Sequence, residues 1–182
     1  MNLNDHPELQ AAIIAMEPKK KDNLLLRLIR KDKLLVEQLH FRLLEDEKDL
    51  LDRVEKLKNQ IDDSLYDLKD TIQTTFSHNG FKELNSTVRS LHGRIGHHEK
   101  VTRDALSDVD CRVYVLKALF ENYPEFFQYT LIKSGAKFQK YILGRIAHLF
   151  KKYDKLHEDY QFDFAEDITF IQDFISKNRH LE

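Results

Sequence analysis

The chain has 182 residues, with 29 Lys and Arg against 31 Asp and Glu and a formal net charge of −2. So close a balance gives no global field favouring nucleic acid or an acidic surface. The single cysteine, Cys111, excludes an internal disulfide and fits a reducing compartment. No apolar run approaches the roughly 18 residues of a membrane span. The start holds Asp5, His6, Pro7 and Glu8, where a secretory leader would be basic and then apolar. The expectation is a cytoplasmic protein that does not associate with membranes.

Three prolines and five glycines punctuate the whole chain, and the stretches between them repeat apolar residues at helical spacing. The fold class is therefore all-α. Asp5 and Glu8 form an Asp-x-x-Glu box that predicts a first helix carrying Leu9, Ile13 and Ile14. Pro18 ends that helix and opens the next, lined by Leu24, Leu25, Leu28 and Ile29. Asp32 is placed to cap a third, with Leu35, Val36, Leu39, Leu43 and Leu44 inward. Residues 6–45 would accommodate a helix-pair repeat, although no self-similarity at a fixed period accompanies it.

From Asp46 to Phe76 the pattern predicts one long helix. Leu50, Ile61 and Ile72 are eleven apart, as are Val54, Leu65 and Phe76. That period follows a nearly straight bundle helix rather than a left-handed zipper. Asn79-Gly80 reads as a stop. A helix resumes at Phe81 with Leu84, Val88, Leu91 and Ile95, and Gly93 and Gly96 predict a break near residues 95–98. The next helix carries Val101 through Phe120. Asn122-x-x-Glu125, with Pro124 in the first turn, predicts a helix from Pro124 to Tyr153. Asp163-x-x-Glu166 opens the last, with Ile168, Ile171, Phe174 and Ile175. The architecture is a helical bundle of six to eight helices in one domain, 1–182, with a possible subdivision into short helices 1–45 and a long-helix bundle 46–182.

Four constellations bear on function. The first is a charge asymmetry. Lys133, Lys137, Lys140, Arg145, Lys151, Lys152 and Lys155 face one acid, Asp154, whereas residues 158–173 hold six acids and no base. The plainest expectation is that these two helices pair. The functional alternative is a basic face built from Lys133, Lys137, Lys140, Tyr141, Arg145, Lys151, Lys152 and Tyr153. It would bind phosphate or an acidic partner, with Tyr141 and Tyr153 available for stacking. The second is Glu37-x-x-His40 with Asp154-x-x-His157, the spacing that di-metal bundles use. Chance placement supplies as many matches. The third is His92, His97, His98, Glu99, Asp104, Asp108 and Cys111 beside the predicted Gly93–Gly96 break. No metal is expected, but His97, His98, Asp104 and Asp108 are the residues that would hold one. The fourth is the acidic series Asp46, Asp49, Asp52, Glu55 and Asp62, Asp63, Asp67. Magnesium-diphosphate chemistry uses such runs, but the interleaved Lys48, Arg53, Lys56 and Lys58 make an ordinary salt-bridged face.

No phosphate-cradling glycine loop, nucleophile elbow or zinc-finger cysteine set is present. The reading is a non-catalytic protein-interaction or adaptor module without cofactors, working through amphipathic helix surfaces. Its partner would be another protein; homo-oligomerisation is compatible. One alternative is a metal-dependent helical-bundle enzyme acting on a phosphorylated or nucleotide substrate. The other is a nucleic-acid binder using the basic helix 133–155.

Overall fold

A computed structural model describes residues 2–72 and 77–178. Among them are eight α-helices and two short 3-10 helices, and no strand. They are α1 (Pro7–Ile14), α2 (Pro18–Ile29), α3 (Lys33–Leu44), α4 (Glu47–Thr71), α5 (His78–Thr102), α6 (Ala105–Asn122), α7 (Lys133–Tyr153) and α8 (Glu158–Lys177). The chain divides into two compact units, Met1–Glu45 and Asp46–Glu182.

In the first unit, Pro18 takes the first-turn position of α2 and the Asp32 carboxylate accepts from Leu35 N at 3.1 Å to start α3. The Asp5–Glu8 box does not form. Leu3–Asp5 is a 3-10 turn, and α1 begins at Pro7 behind His6, which makes no side-chain cap. Proline needs no N–H partner in the first turn, so it sets the start there. No described residue of this unit is buried. Leu43 and Leu44 are 70% and 74% exposed on α3, a helix apolar almost all round.

The second unit is organised by α6. This helix packs against α4, α5, α7 and α8, and its buried residues include Val109, Cys111, Val113, Val115, Leu116, Leu119 and Phe120. Apart from the partly exposed side carrying Asp110, Tyr114, Lys117 and Glu121, this helix is largely apolar and its neighbours enclose it. The α4 helix starts with a reciprocal box in which Asp46 accepts from Asp49 N while Asp49 accepts from Asp46 N. It buries Leu57, Ile61, Leu65 and Leu68. Phe76, expected to extend this helix, lies outside the described residues.

Several boundaries differ from the sequence expectation. Asn79-Gly80 is not a stop but the first turn of α5, because Ser77 Oγ accepts from Gly80 N at 2.9 Å. The predicted break at residues 95–98 is absent: α5 runs unbroken through Gly93 and Gly96 to Thr102. Buried Leu91, Ile95, His98 and Val101 supply the packing that outweighs about 1 kcal/mol per glycine. The chain turns instead at Arg103, whose φ of 55° is left-handed, so Val101 belongs to α5 and not to α6. The predicted helix 124–153 is split. Pro124–Phe127 is a 3-10 turn that buries Phe126 and Phe127, and α7 starts only at Lys133. Gln139 holds this connection by donating to Phe126 O at 3.0 Å and Gln128 O at 2.9 Å. The last helix opens at Glu158, capped by His157, five residues before the predicted Asp163.

One end of the second unit is aromatic. Phe81, Phe120, Phe126, Phe127, Phe138 and Phe174 meet there, with Phe120 stacked on Phe174 at 4.0 Å and edge-on to Phe127 at 5.0 Å. Gly135 is required at this end. A Cβ on it would lie 2.5 Å from Thr130 Cγ2 and 2.8 Å from Phe81 Cζ.

Candidate anion-binding face

Helices α5 and α7 run parallel along the second unit. Ser134 Oγ donates to His78 O near their starts, Phe81 meets Phe138 one turn on, and Lys152 bonds Glu99 near their ends. The start of α6 lies at this second end, so three helices bring charged side chains together there.

The centre is Asp108, fully buried in the first turn of α6. Arg112, one turn on, holds both of its oxygens: Nη2 lies 2.8 Å from Oδ1 and Nε donates to Oδ2 at 3.0 Å. Lys152 Nζ reaches Oδ2 at 2.8 Å from α7. Glu99 of α5 completes the group, bonding Arg112 Nη2 at 3.2 Å and Lys152 Nζ. Two acids and two bases thus form one ion-paired group, although Asp108 Oδ1 accepts no hydrogen bond. Burial would lower the pKa of Lys152, but its hydrogen bonds to Asp108 and Glu99 outweigh that and hold the ammonium above its ordinary value. Burial pushes the nearby Cys111 thiol up to about 12, and Asp110 adds to the shift, so it is held as the neutral thiol.

Beside this group opens a cleft of about 520 Å³ lined by Glu99, Arg103, Asp104, Asp108, His148, Lys151, Lys152 and Lys155, among others. Arg103, Lys151 and Lys155 enter it with no carboxylate within ion-pair distance among the described residues. The His148 pKa is lowered by partial burial and by Arg112 and Lys152.

The eight residues of the predicted basic face fall into three groups. Lys133, Lys137, Lys140 and Lys151 are exposed on one side of α7, with Lys155 following. Tyr141, Arg145 and Lys152 turn toward the rest of the bundle, where Lys152 is consumed by Asp108 and Glu99. Tyr153 is committed elsewhere, its hydroxyl donating to Gln161 O at 3.0 Å. The expected pairing of the basic and acidic helices does not occur. The α8 helix packs on α6, where Lys117 pairs with Asp167, and the exposed lysines of α7 pair with none of the acids of α8. The apolar stripe of α8, Ile168 and Ile171, decides where it docks; the charges do not.

The other constellations are dispersed. His98 is buried against Ser107 Oγ at 2.9 Å, and Asp104 is the cap of α6, accepting from Ser107 N at 2.7 Å. His97 is exposed on α5. A turn at Arg103 puts His97 and His98 on α5 and Asp104, Asp108 and Cys111 at the cap and in the first turns of α6. Glu37 and His40 belong to the first unit and His157 to the second. Among the described residues, no three His, Cys, Asp or Glu side chains are placed to share a metal ion. On α4, Asp62 accepts from Tyr114 OH at 2.6 Å, and Lys58 pairs with Asp110 at 2.7 Å. Of the acidic series, Asp46 and Asp49 thus cap α4 and Asp62 ties it to α6.

Sequence reasoning missed Arg112 and Arg89. A signal for Arg112 was present: Asp108 and Arg112 are one turn apart on α6, at ion-pair spacing, on the side away from the polar face of Asp110, Tyr114, Lys117 and Glu121. Compared with known protein families, curated proteins and solved structures, the chain matches none.

Proposed function

We propose that the protein is a non-catalytic interaction module that docks an acidic segment of another protein on the basic side of α7. The observation that carries this reading is the exposed row Lys133, Lys137, Lys140, Lys151 and Lys155, none with an ion-pair partner among the described residues. The row ends at the cleft, where Arg103 adds to it. An unpaired cation row contributes mainly on-rate and selectivity for acidic partners. The α3 helix of the first unit supports the same class of function, since Val36, Leu43 and Leu44 present apolar surface to solvent.

Stacking on nucleic-acid bases has less support. Tyr141 already carries Arg89 on its ring, 4.2 Å from the centroid, and Tyr153 is half-buried and bonded to Gln161. The test is capture from native lysate by the wild type and by the triple variant Lys137→Glu, Lys140→Glu, Lys151→Glu, with circular dichroism confirming equal helicity. A stoichiometric acidic protein held by the wild type and lost by the variant supports the reading. Equal capture by both, or capture of nucleic acid alone, overturns it.

A further inference from the structure

Behind the exposed row, between α5 and α7, is a second cluster that the docking surface does not use. Its members are Arg89 and His92 on α5 and Tyr141 and Arg145 on α7. The Arg89 and Arg145 guanidinium carbons lie 4.2 and 5.3 Å from the centroid of one Tyr141 ring. His92 meets the same ring edge-on, centroids 6.1 Å apart.

Two features of this cluster are unsatisfied. His92 is only 6% exposed, and neither ring nitrogen has a hydrogen-bond partner. Arg145 Nε is likewise buried without an acceptor. Each such group forfeits its hydration without a compensating hydrogen bond. The charges are out of balance too. Asp108 and Glu99, the acids at this end, are taken by Arg112 and Lys152. Arg89 and Arg145 have no carboxylate within ion-pair distance among the described residues. Tyr141 cannot supply the missing charge. Burial raises its phenol above the ordinary value despite both arginines, so it is neutral.

The rims of the cluster are open. Gly93 follows His92 and Gly144 precedes Arg145, and a Cβ on either would meet no atom within 4 Å. Arg89, Gly93 and Gly144 are all exposed.

We infer that the Arg89–His92–Tyr141–Arg145 cluster is a binding site for a phosphate monoester. Two uncompensated guanidiniums match a charge near −2 at neutral pH. Donors from three side chains on two helices suit a tetrahedral group with three peripheral oxygens. A planar carboxylate would neutralise one arginine and occupy one fork. Arg89 offers the surface donor, and Arg145 Nε and the His92 N–H, both closed to solvent in this structure, are the inner donors that binding must open. Tyr141 is a positioning residue, holding both guanidiniums over its ring.

The probe is inorganic phosphate added to the full chain at pH 7, followed by the histidine ring resonances in NMR and by calorimetry. The expected result is a saturable shift of the His92 ring signals. Arg145→Gln weakens binding at least tenfold and Arg89→Gln several-fold. Arg145→Lys, which keeps the charge and loses the fork, falls between wild type and Arg145→Gln. Lys82→Gln and Lys177→Gln, outside both the cluster and the exposed row, bind as wild type. Non-saturating shifts, wild-type binding by Arg145→Gln, or equal losses in the two lysine variants would overturn the assignment. These outcomes do not depend on the docking surface, because the triple charge reversal on the exposed row leaves all four residues intact.

Discussion

The two ends of the second unit are built from opposite chemistry on the same helices. At one end α5, α6 and α7 contribute Phe81, Phe120 and Phe138 to a dry aromatic cluster in which every ring has ring partners. At the other the same helices contribute Glu99, Asp108, Arg112, Arg145 and Lys152, and the positive charges outnumber the negative. The aromatic end is complete in itself. The charged end is not: Asp108 Oδ1, Arg145 Nε and both His92 ring nitrogens are buried without a hydrogen-bond partner. Stability resides where nothing is missing, and binding is expected where something is.

The largest effects should come from breaking each centre. Asp108→Ala leaves Arg112 and Lys152 facing each other without a counter-ion, and should destabilise by about 3–5 kcal/mol in urea unfolding. Phe127→Ala should lose a similar amount, about 3–5 kcal/mol, by opening a cavity. The ends differ in their repair. Replacing the buried Asp108 and Arg112 together by apolar residues should recover part of the loss, whereas no single second change at the aromatic end refills the void.

A smaller effect separates the glycines. Gly135→Ala should cost about 1–3 kcal/mol through its collision with Thr130 and Phe81. Gly144→Ala, with open space at its Cβ, should instead stabilise α7 by up to about 1 kcal/mol.

The pH dependence sharpens the comparison. Burial, with Arg112 and Arg145 close by, depresses the His92 pKa from 6.5 to about 3. Between those values the unfolded chain binds a proton that the folded one refuses. Stability should therefore fall as pH drops from 6.5 toward 3. His92→Phe should flatten that slope and, by removing two unpartnered nitrogens, match or exceed the wild-type stability at pH 5. An unchanged slope in this variant would assign the acid sensitivity elsewhere. Lys152 acts in the opposite range. Its raised pKa contributes stability that is present below 10.5 and is lost as pH rises through the folded value.

The all-α class was legible because helical periodicity is a local property, and helix starts are marked locally, by the fixed φ of Pro18 and by the capping bonds of Asp32 and Asp46. Boundaries failed where tertiary contacts decide. Gly93 and Gly96 do not break α5 because the turns around them are buried, and the helix from Pro124 is interrupted because Phe126 and Phe127 enter the core. The charged end was only partly legible. Lysines on the outer side of α7 follow from spacing alone. That Lys152 would be claimed by Asp108 and Glu99, while Arg145 would be left without an acid, depends on how three helices meet.

The division between the two ends is tested most directly by measuring urea-unfolding free energy and partner capture on two variants side by side. The triple reversal of Lys137, Lys140 and Lys151 should unfold within about 0.5 kcal/mol of the wild type and lose capture. Phe127→Ala should lose about 3–5 kcal/mol and, under conditions where it remains folded, capture the same partner. A triple variant that keeps its partner, or that loses stability as Phe127→Ala does, would contradict the account.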